Sequence, residues 1–539
     1  MNHMNRRRKI LILVVAVLGA AVLIPVIRHY QLRAATEAYI AELKAQGEPM
    51  ELAQVIPPPV PPEQNAAPLI TNALNQIKDY YTTMKSDPPG SRMIIPGKEM
   101  IGWRQPAIHD FEFNVTKSWE QLGTELGNEQ NNLNDFRNLI KIPVFDFGYE
   151  YSNSKTFIPA LALRLSGFKT AAQWLIASSF YNLHQGKSAD ACTDVRAILA
   201  FVKGETNERF EISQLVRFAI AQMSASATWE ILQATNVSNE DLAQLQQDWE
   251  SLEFAHPLEN AFLFERVNSL ELQKVRRRSP AQLLLSANLP STSFVPKSVV
   301  NGKLTDWNGS STNFVLVDAK SISNSQRPVF IKIAAGVSKA WHCFFLWPQF
   351  ESYKDELQGL REWRIIFAAT RMAETNASFQ GIQSFVNTNF SQIGFNLVEE
   401  NPYAIFSRNA NQLPALHKAV MAEVTRNVVI TAIALKRYEL RHHQLPATLA
   451  ELTPDLLKTV PIDCMDGQPL RYRPNADGTF LLYSVGENGK DDGGDPSLEK
   501  GVTGSYFSWQ NAHALDWVWP QPATEEEIQR YYAQQKNSR

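Results

Sequence analysis

The stretch FKTAAQWLIASSFYNLHQGKSADACTDVRAILAFV, Phe168 to Val202, decides how most of the chain is read. Ala171, Trp174, Leu175, Ser178 and Tyr181 recur at helical spacing, HQGKS interrupts the period as a turn, and Val195, Ile198, Leu199 and Val202 resume it. Two antiparallel helices are expected here. Trp174, Tyr181 and Ala197 sit at tetratricopeptide-like spacing, but nothing recurs one repeat later, so a plain hairpin is the reading. Working outward, Ser238-Asn239-Glu240-Asp241 reads as a capped helix start followed by an apolar stripe of Leu242, Leu245, Trp249 and Leu252. Glu351–Asn376 and Pro414–His442 read as two further long helices. The fold class expected is mainly α, built from helical hairpins or a bundle.

The 539 residues carry 52 Lys and Arg against 55 Asp and Glu, and no basic stripe is interleaved with aromatics. Nucleic-acid binding is therefore not expected. The cysteines Cys192, Cys343 and Cys464 lie far apart without metal-ligand spacing, which excludes a zinc-finger type of site. At the N-terminus a basic segment, residues 1–9 with Arg6, Arg7, Arg8 and Lys9, precedes ILILVVAVLGAAVLIPVI, Ile10 to Ile27. That length reaches the minimum of about 17 residues that crosses a bilayer as a helix, and the basic flank predicts a cytoplasmic N-terminus. Gly19-Ala20-Ala21 is a weak cleavage signal, and the apolar run continues past it, so an uncleaved transmembrane signal anchor over 10–27 is expected rather than a removed signal peptide.

Residues 28–66 follow as a stalk helix and a proline-rich spacer, VIPPPVPP, of polyproline II character. A helical extracytoplasmic body is expected over 67–410, with an irregular Ser/Asn/Gly/Pro insertion near 279–328 and an intensely aromatic segment, WHCFFLWPQF, at Trp341–Phe350. Over 411–539 a long helix leads into a short one after HQLP. Two strands follow, Pro469–Arg473 and Thr479–Val485, joined by a Pro474–Gly478 turn. The acidic, glycine-rich LLYSVGENGKDDGGD, Leu481–Asp495, closes the series.

At these residues the chain resembles the C-terminal half of the major pseudopilin of bacterial type II secretion. The resemblance rests on an ordered set: Ala434, Leu435 and Tyr438 on the helix; Pro446, Leu449 and Leu452 after it; Pro461, Asp463, Gly467, Pro469 and Tyr472 at the first strand; and Tyr483, Ser484, Gly486 and Gly489 in the loop. Asp516 and Trp519 are similar to a later D-x-x-W element. The resemblance implies a small C-terminal α+β pseudopilin-like module and calcium as a cofactor. Its ligands would be Asp491, Asp492, Asp495 and Asp516, with Leu482 and Ser484 alongside them, and the ion would stabilise the module without catalysing a reaction. The departures are as specific. Cys464-Met465 stands where the family has Pro-Trp, Gln444 replaces a glycine, Pro496–His513 is an insertion, and Ile10–Ile27 lacks the Gly-Phe and glutamate of a processed pilin leader.

No HExxH, GxSxG or phosphate-binding glycine loop is present, so no catalytic residue is assigned. Glu265-Arg266, Glu399-Glu400 and His442-His443 read as structural charge, and Thr524 with Glu525-Glu526-Glu527 as a capped helix start. The function expected is a single-pass scaffold or binding protein of the bacterial inner (cytoplasmic) membrane. Its body would lie in the periplasm and dock on a protein partner of the cell envelope, in an association related to secretion. The alternative is a membrane-anchored extracytoplasmic hydrolase with a scattered active site.

Overall fold

The computed structural model describes residues 6–537 apart from 91, 111–114, 143, 152–153, 280–297, 301–302, 306–350, 376–377, 394–411, 501 and 503–508. Most of the irregular insertion near 279–328, the aromatic segment Trp341–Phe350 and Glu399-Glu400 lie outside the described residues. Within the insertion, Ser298–Val300 and Lys303–Thr305 pair as an antiparallel hairpin.

Helices carry the architecture. They are α1 (Arg6–Ala45), α2 (Ala67–Gln76), α3 (Trp119–Asn128), α4 (Gln130–Asn138), α5 (Ser154–His184), α6 (Ser188–Gly204), α7 (Glu211–Leu232), α8 (Asn239–Glu250), α9 (Ala255–Arg278), α10 (Ser352–Glu374), α11 (Phe379–Gln392), α12 (Leu413–His442) and α13 (Glu525–Asn537). The expected hairpin is α5 packed on α6, turning through Gln185, Gly186 and Lys187. It is buried more completely than a one-faced helix would be, because every residue from Thr170 to Phe180 is buried. Helices apolar all round sit inside a bundle, and α2, α4, α6 and α7 all pack against α5 or its partner. Ser238 caps α8 by accepting the Asp241 N–H at 3.0 Å, and Leu242, Leu245, Trp249 and Leu252 are buried as the stripe expects.

Buried polar groups lock these helices in register. Asp194 of α6 accepts Arg137 Nε at 2.7 Å and Asn182 Nδ2 at 2.9 Å, tying α4, α5 and α6 together. Burial pushes its carboxyl up to about 6 against the pull of Arg137. Arg217 of α7 donates to the carbonyls of Val202 and Glu253, joining α6 to the segment before α9.

The C-terminal part is welded to this body. One continuous core includes Trp174 and Trp229 of the bundle together with Leu482, Val485, Trp517 and Trp519. The strands in chain order begin with β1 (Arg92–Ile95), β2 (Lys98–Met100), β3 (Ile108–Asp110), β4 (Val115–Lys117), β5 (Ser298–Val300) and β6 (Lys303–Thr305), and β7 (Arg471–Pro474), β8 (Phe480–Ser484) and β9 (Trp517–Val518) form an antiparallel sheet over α12, β7 and β8 a little shorter than the sequence pattern suggests. Where a short helix was expected after Pro446, a 3-10 turn at Leu449–Leu452 is capped by Thr448, and Pro446 lies ahead of it with its carbonyl accepting the Tyr472 hydroxyl at 2.8 Å. The chain then returns to its beginning. Gln521–Pro522 pairs in parallel with Lys98–Met100, itself the partner of Arg92–Ile95, and Trp229 Nε1 donates to the Pro520 carbonyl at 2.8 Å.

The lower half of α1 docks on α10, where Thr36 Oγ1 reaches the Tyr353 carbonyl at 3.1 Å. Along its upper half the described side chains of Leu13, Val15, Leu23 and Ile24 are each at least 60% exposed. Among the described residues no helix is long and apolar enough to cross a membrane, and several side chains of the expected anchor Ile10–Ile27 lie outside that description.

Candidate functional site

The hairpin β7–β8 delivers the acidic loop. Its register sets Arg471 opposite Tyr483 and Arg473 opposite Leu481, and the loop leaves β8 at Gly486, whose φ of +64° favours glycine and where an added Cβ would sit a tight 3.2 Å from the Trp517 ring. Gly494, at φ +81°, repeats the requirement where a Cβ would strike Leu481.

Asp516 is the anchor. Fully buried, it accepts the backbone N–H of Gly494 at 2.8 Å and of Asp495 at 3.1 Å through Oδ2, and that of Asp492 at 3.4 Å through Oδ1. Its own N–H donates to the Asp495 carbonyl at 2.9 Å. The loop is thus closed onto the D-x-x-W segment through main-chain donors. Burial raises the Asp516 carboxyl above the ordinary aspartate range, and the three N–H groups oppose that shift.

The remaining expected ligands have other occupations. Asp491 accepts the Tyr483 hydroxyl at 2.9 Å, the Gly493 N–H at 3.0 Å and Arg471 Nε at 3.3 Å. Asp492 is paired with Lys490 and accepts Asn488 Nδ2 at 3.0 Å, and these two donors hold its carboxyl below the usual range. Asp495 accepts the Ser497 N–H at 2.9 Å. The Leu482 carbonyl accepts the Trp519 N–H at 2.9 Å, and the Ser484 hydroxyl donates to Asp463 at 2.8 Å. Each of these six residues thus has a hydrogen-bond or ion-pair partner within the protein. Calcium takes about six to eight oxygen ligands converging on one point, and here the oxygens are turned toward N–H, O–H and cationic donors.

Beside Lys490, a second cation at this site is Arg471, which the strand pattern gives no reason to single out. Its guanidinium meets Asp466 at 2.5 Å, Asp463 at 3.3 Å and Asp491 at 3.3 Å. Asp463, fully buried, also accepts the N–H groups of Val485 at 2.9 Å and Met465 at 3.0 Å. Arg471 and Asp463 together join the segment before β7 to the end of β8. The only hint in sequence is the acid-Arg spacing of DCMDGQPLR.

The other acid and imidazole candidates separate. Arg266 turns to Glu48 at 3.0 Å and the Pro49 carbonyl at 2.7 Å, lying over the Phe367 ring. Glu265 instead accepts the backbone N–H of Glu211 at the start of α7, and its carboxyl is pushed up to about 8 by burial and then by the Glu211 charge. His442 stacks on Tyr438, while His443 ends α12 in the left-handed region at φ +55°. Thr524 and Glu527 form the expected reciprocal cap of α13, and Glu527 also holds Lys98 at 2.7 Å. No protein-family model matches the chain, nor does any curated protein or solved structure.

Proposed function

We propose that this chain is a single-pass scaffold or binding protein anchored in the bacterial cytoplasmic membrane, with its helical body and pseudopilin-like end on the extracytoplasmic side. The observation that carries the reading is the division of α1. From Thr36 onward the helix packs on α10 and the core, whereas Leu13, Val15, Leu23 and Ile24 stand free of the body. An uninterrupted apolar surface costs about 25 cal/mol per Å2 to leave in water, and a bilayer relieves that cost. The basic cluster Arg6–Lys9 supports an orientation with the N-terminus inside.

Attachment of the C-terminal part to the bundle supports a rigid platform rather than a mobile tail, and an envelope protein is the partner proposed for it. Calcium is not part of this proposal; the loop carboxylates face Arg471, Lys490 and main-chain donors. Alkaline extraction of membranes from cells producing the chain tests the anchoring: retention in the pellet is expected, and release of the full-length protein would defeat it. Replacing Leu13, Val15, Leu23 and Ile24 by serine should shift the protein into the soluble fraction.

A further inference from the structure

At the junction of α9 and α10, away from the acidic loop, His256, Glu259 and Glu374 bring one imidazole nitrogen and two carboxylate oxygens within 4.8 Å of one another. His256 and Glu259 are three residues apart in AHPLE, on one face of the first turns of α9, and Glu374 ends α10, which packs antiparallel along it. His256 Nδ1 lies 3.3 Å from Glu374 Oε1.

We propose that these three residues bind a divalent transition-metal ion of the zinc class. The donor set selects the class, since an imidazole with carboxylates suits zinc, cobalt or nickel, whereas calcium and magnesium take oxygen donors alone.

The charges around the cluster favour an added cation. Glu259 is buried, and Arg371 engages it through Oε1 only, from Nη2 at 2.7 Å and Nε at 2.8 Å. One of its carboxylate oxygens lies within 4.8 Å of one of Glu374's. Two carboxylates this close favour a proton or a cation beside them. The surrounding charges leave room for one: Glu48 is shared between the guanidiniums of Arg266 and Arg371 at 3.0 and 3.4 Å, Glu259 takes Arg371, and Glu374 faces the His256 imidazole.

An outer contact of His256 can take the form a bound imidazole uses. Asn260 Nδ2 stands 3.4 Å from His256 Nε2, and turning that amide over puts its oxygen there to accept the Nε2 proton, leaving the Nδ1 lone pair for the ion. Three protein ligands leave the fourth tetrahedral position open, and the 62% exposed His256 side chain places that position at the surface.

The experiment titrates zinc into the full-length protein in detergent, against a chromophoric competitor, beside His256→Ala and Glu374→Gln. Both replaced side chains are at least partly exposed, so the variants should fold as the parent does. The parent should bind one zinc more tightly than either variant, by more than the roughly 10-fold that loss of an outer-shell partner costs. Cobalt(II) should give the intense visible absorption of a four-coordinate site in the parent and lose it in His256→Ala. Equal zinc affinity in all three proteins, or a cobalt spectrum unchanged by His256→Ala, would overturn the assignment. It would place any bound metal elsewhere, for instance on His442 or His443.

Discussion

Asp516 Oδ2 lies 2.8 Å from the backbone nitrogen of Gly494, 22 residues earlier in the chain, and the same oxygen takes the Asp495 N–H at 3.1 Å. A buried side chain that satisfies consecutive main-chain donors fixes a glycine-rich loop as firmly as an ion would, because each donor left without an acceptor costs about 1–3 kcal/mol. Asp516→Ala should therefore lower stability by about 3 kcal/mol, read as a fall in the thermal midpoint followed by tryptophan fluorescence. Trp517 and Trp519 follow the anchor closely and are buried, so they contribute to that signal.

Arg471 brings positive charge to the loop from the neighbouring strand, beside Lys490 within it, and its role separates two ways of fastening the loop. In the parent protein, chelator and saturating calcium should give the same unfolding midpoint, since a ligand that binds only the folded state raises stability and one that does not bind leaves it unchanged. Arg471→Ala leaves Asp463, Asp466 and Asp491 without their common guanidinium, and about 2 kcal/mol of stability should go with it. In that variant added calcium should restore part of the loss. A parent midpoint that rises with calcium would show instead that the loop carboxylates reorganise around an ion.

Glu362 on α10 is buried and accepts Gln358 Nε2 at 2.9 Å. Burial pushes its carboxyl from 4.5 up to about 8; Gln358 opposes the shift and Asp355 adds to it. The folded state therefore keeps a proton that the unfolded state releases, and no penalty exists below the unfolded value. As pH rises from about 4.5 toward 8 the parent should lose up to about 1.4 kcal/mol per pH unit from this group. Glu362→Gln removes that term. Its midpoint should match the parent's near pH 4.5 and exceed it at pH 8, and an equal difference at both pH values would refute the buried-proton account.

Trp229 donates to the Pro520 carbonyl across 291 residues at 2.8 Å. Trp229→Ala should cost about 4 kcal/mol through the cavity it leaves. The C-terminal residues should also become susceptible to protease at the same temperature at which the bundle melts. Proteolysis of the C-terminal sheet well below that temperature would show a separable domain instead.

What could be read in the sequence divides along the range of the interactions. The α5–α6 hairpin, the Ser238 cap and the β7–β8 hairpin depend on spacing within a few residues, and their residue types announce them. The burial of Thr170–Phe180 on every side depends on which helices surround α5, which no single helix records. The pairing of Gln521–Pro522 with Lys98–Glu99 joins two-residue strands too short to show alternation. Arg471 is hard to read for a related reason: Asp463 and Asp466 lie close by in sequence, but Asp491 joins them only after the chain folds back over the hairpin, whereas the aspartates of the loop stand out by composition. His256, Glu259 and Glu374 are of the same kind, two ligands local and the third brought in by packing.

The central claim is that the body stands outside the cytoplasmic membrane, held there by the apolar half of α1. The most direct measurement fuses a reporter that is active only outside the cytoplasm to the C-terminal end of the full chain in a Gram-negative host, with a cytoplasm-only reporter in parallel. The account requires activity from the first fusion and none from the second, in protein that stays with the membrane after alkaline washing. Activity from the cytoplasmic reporter alone would contradict it.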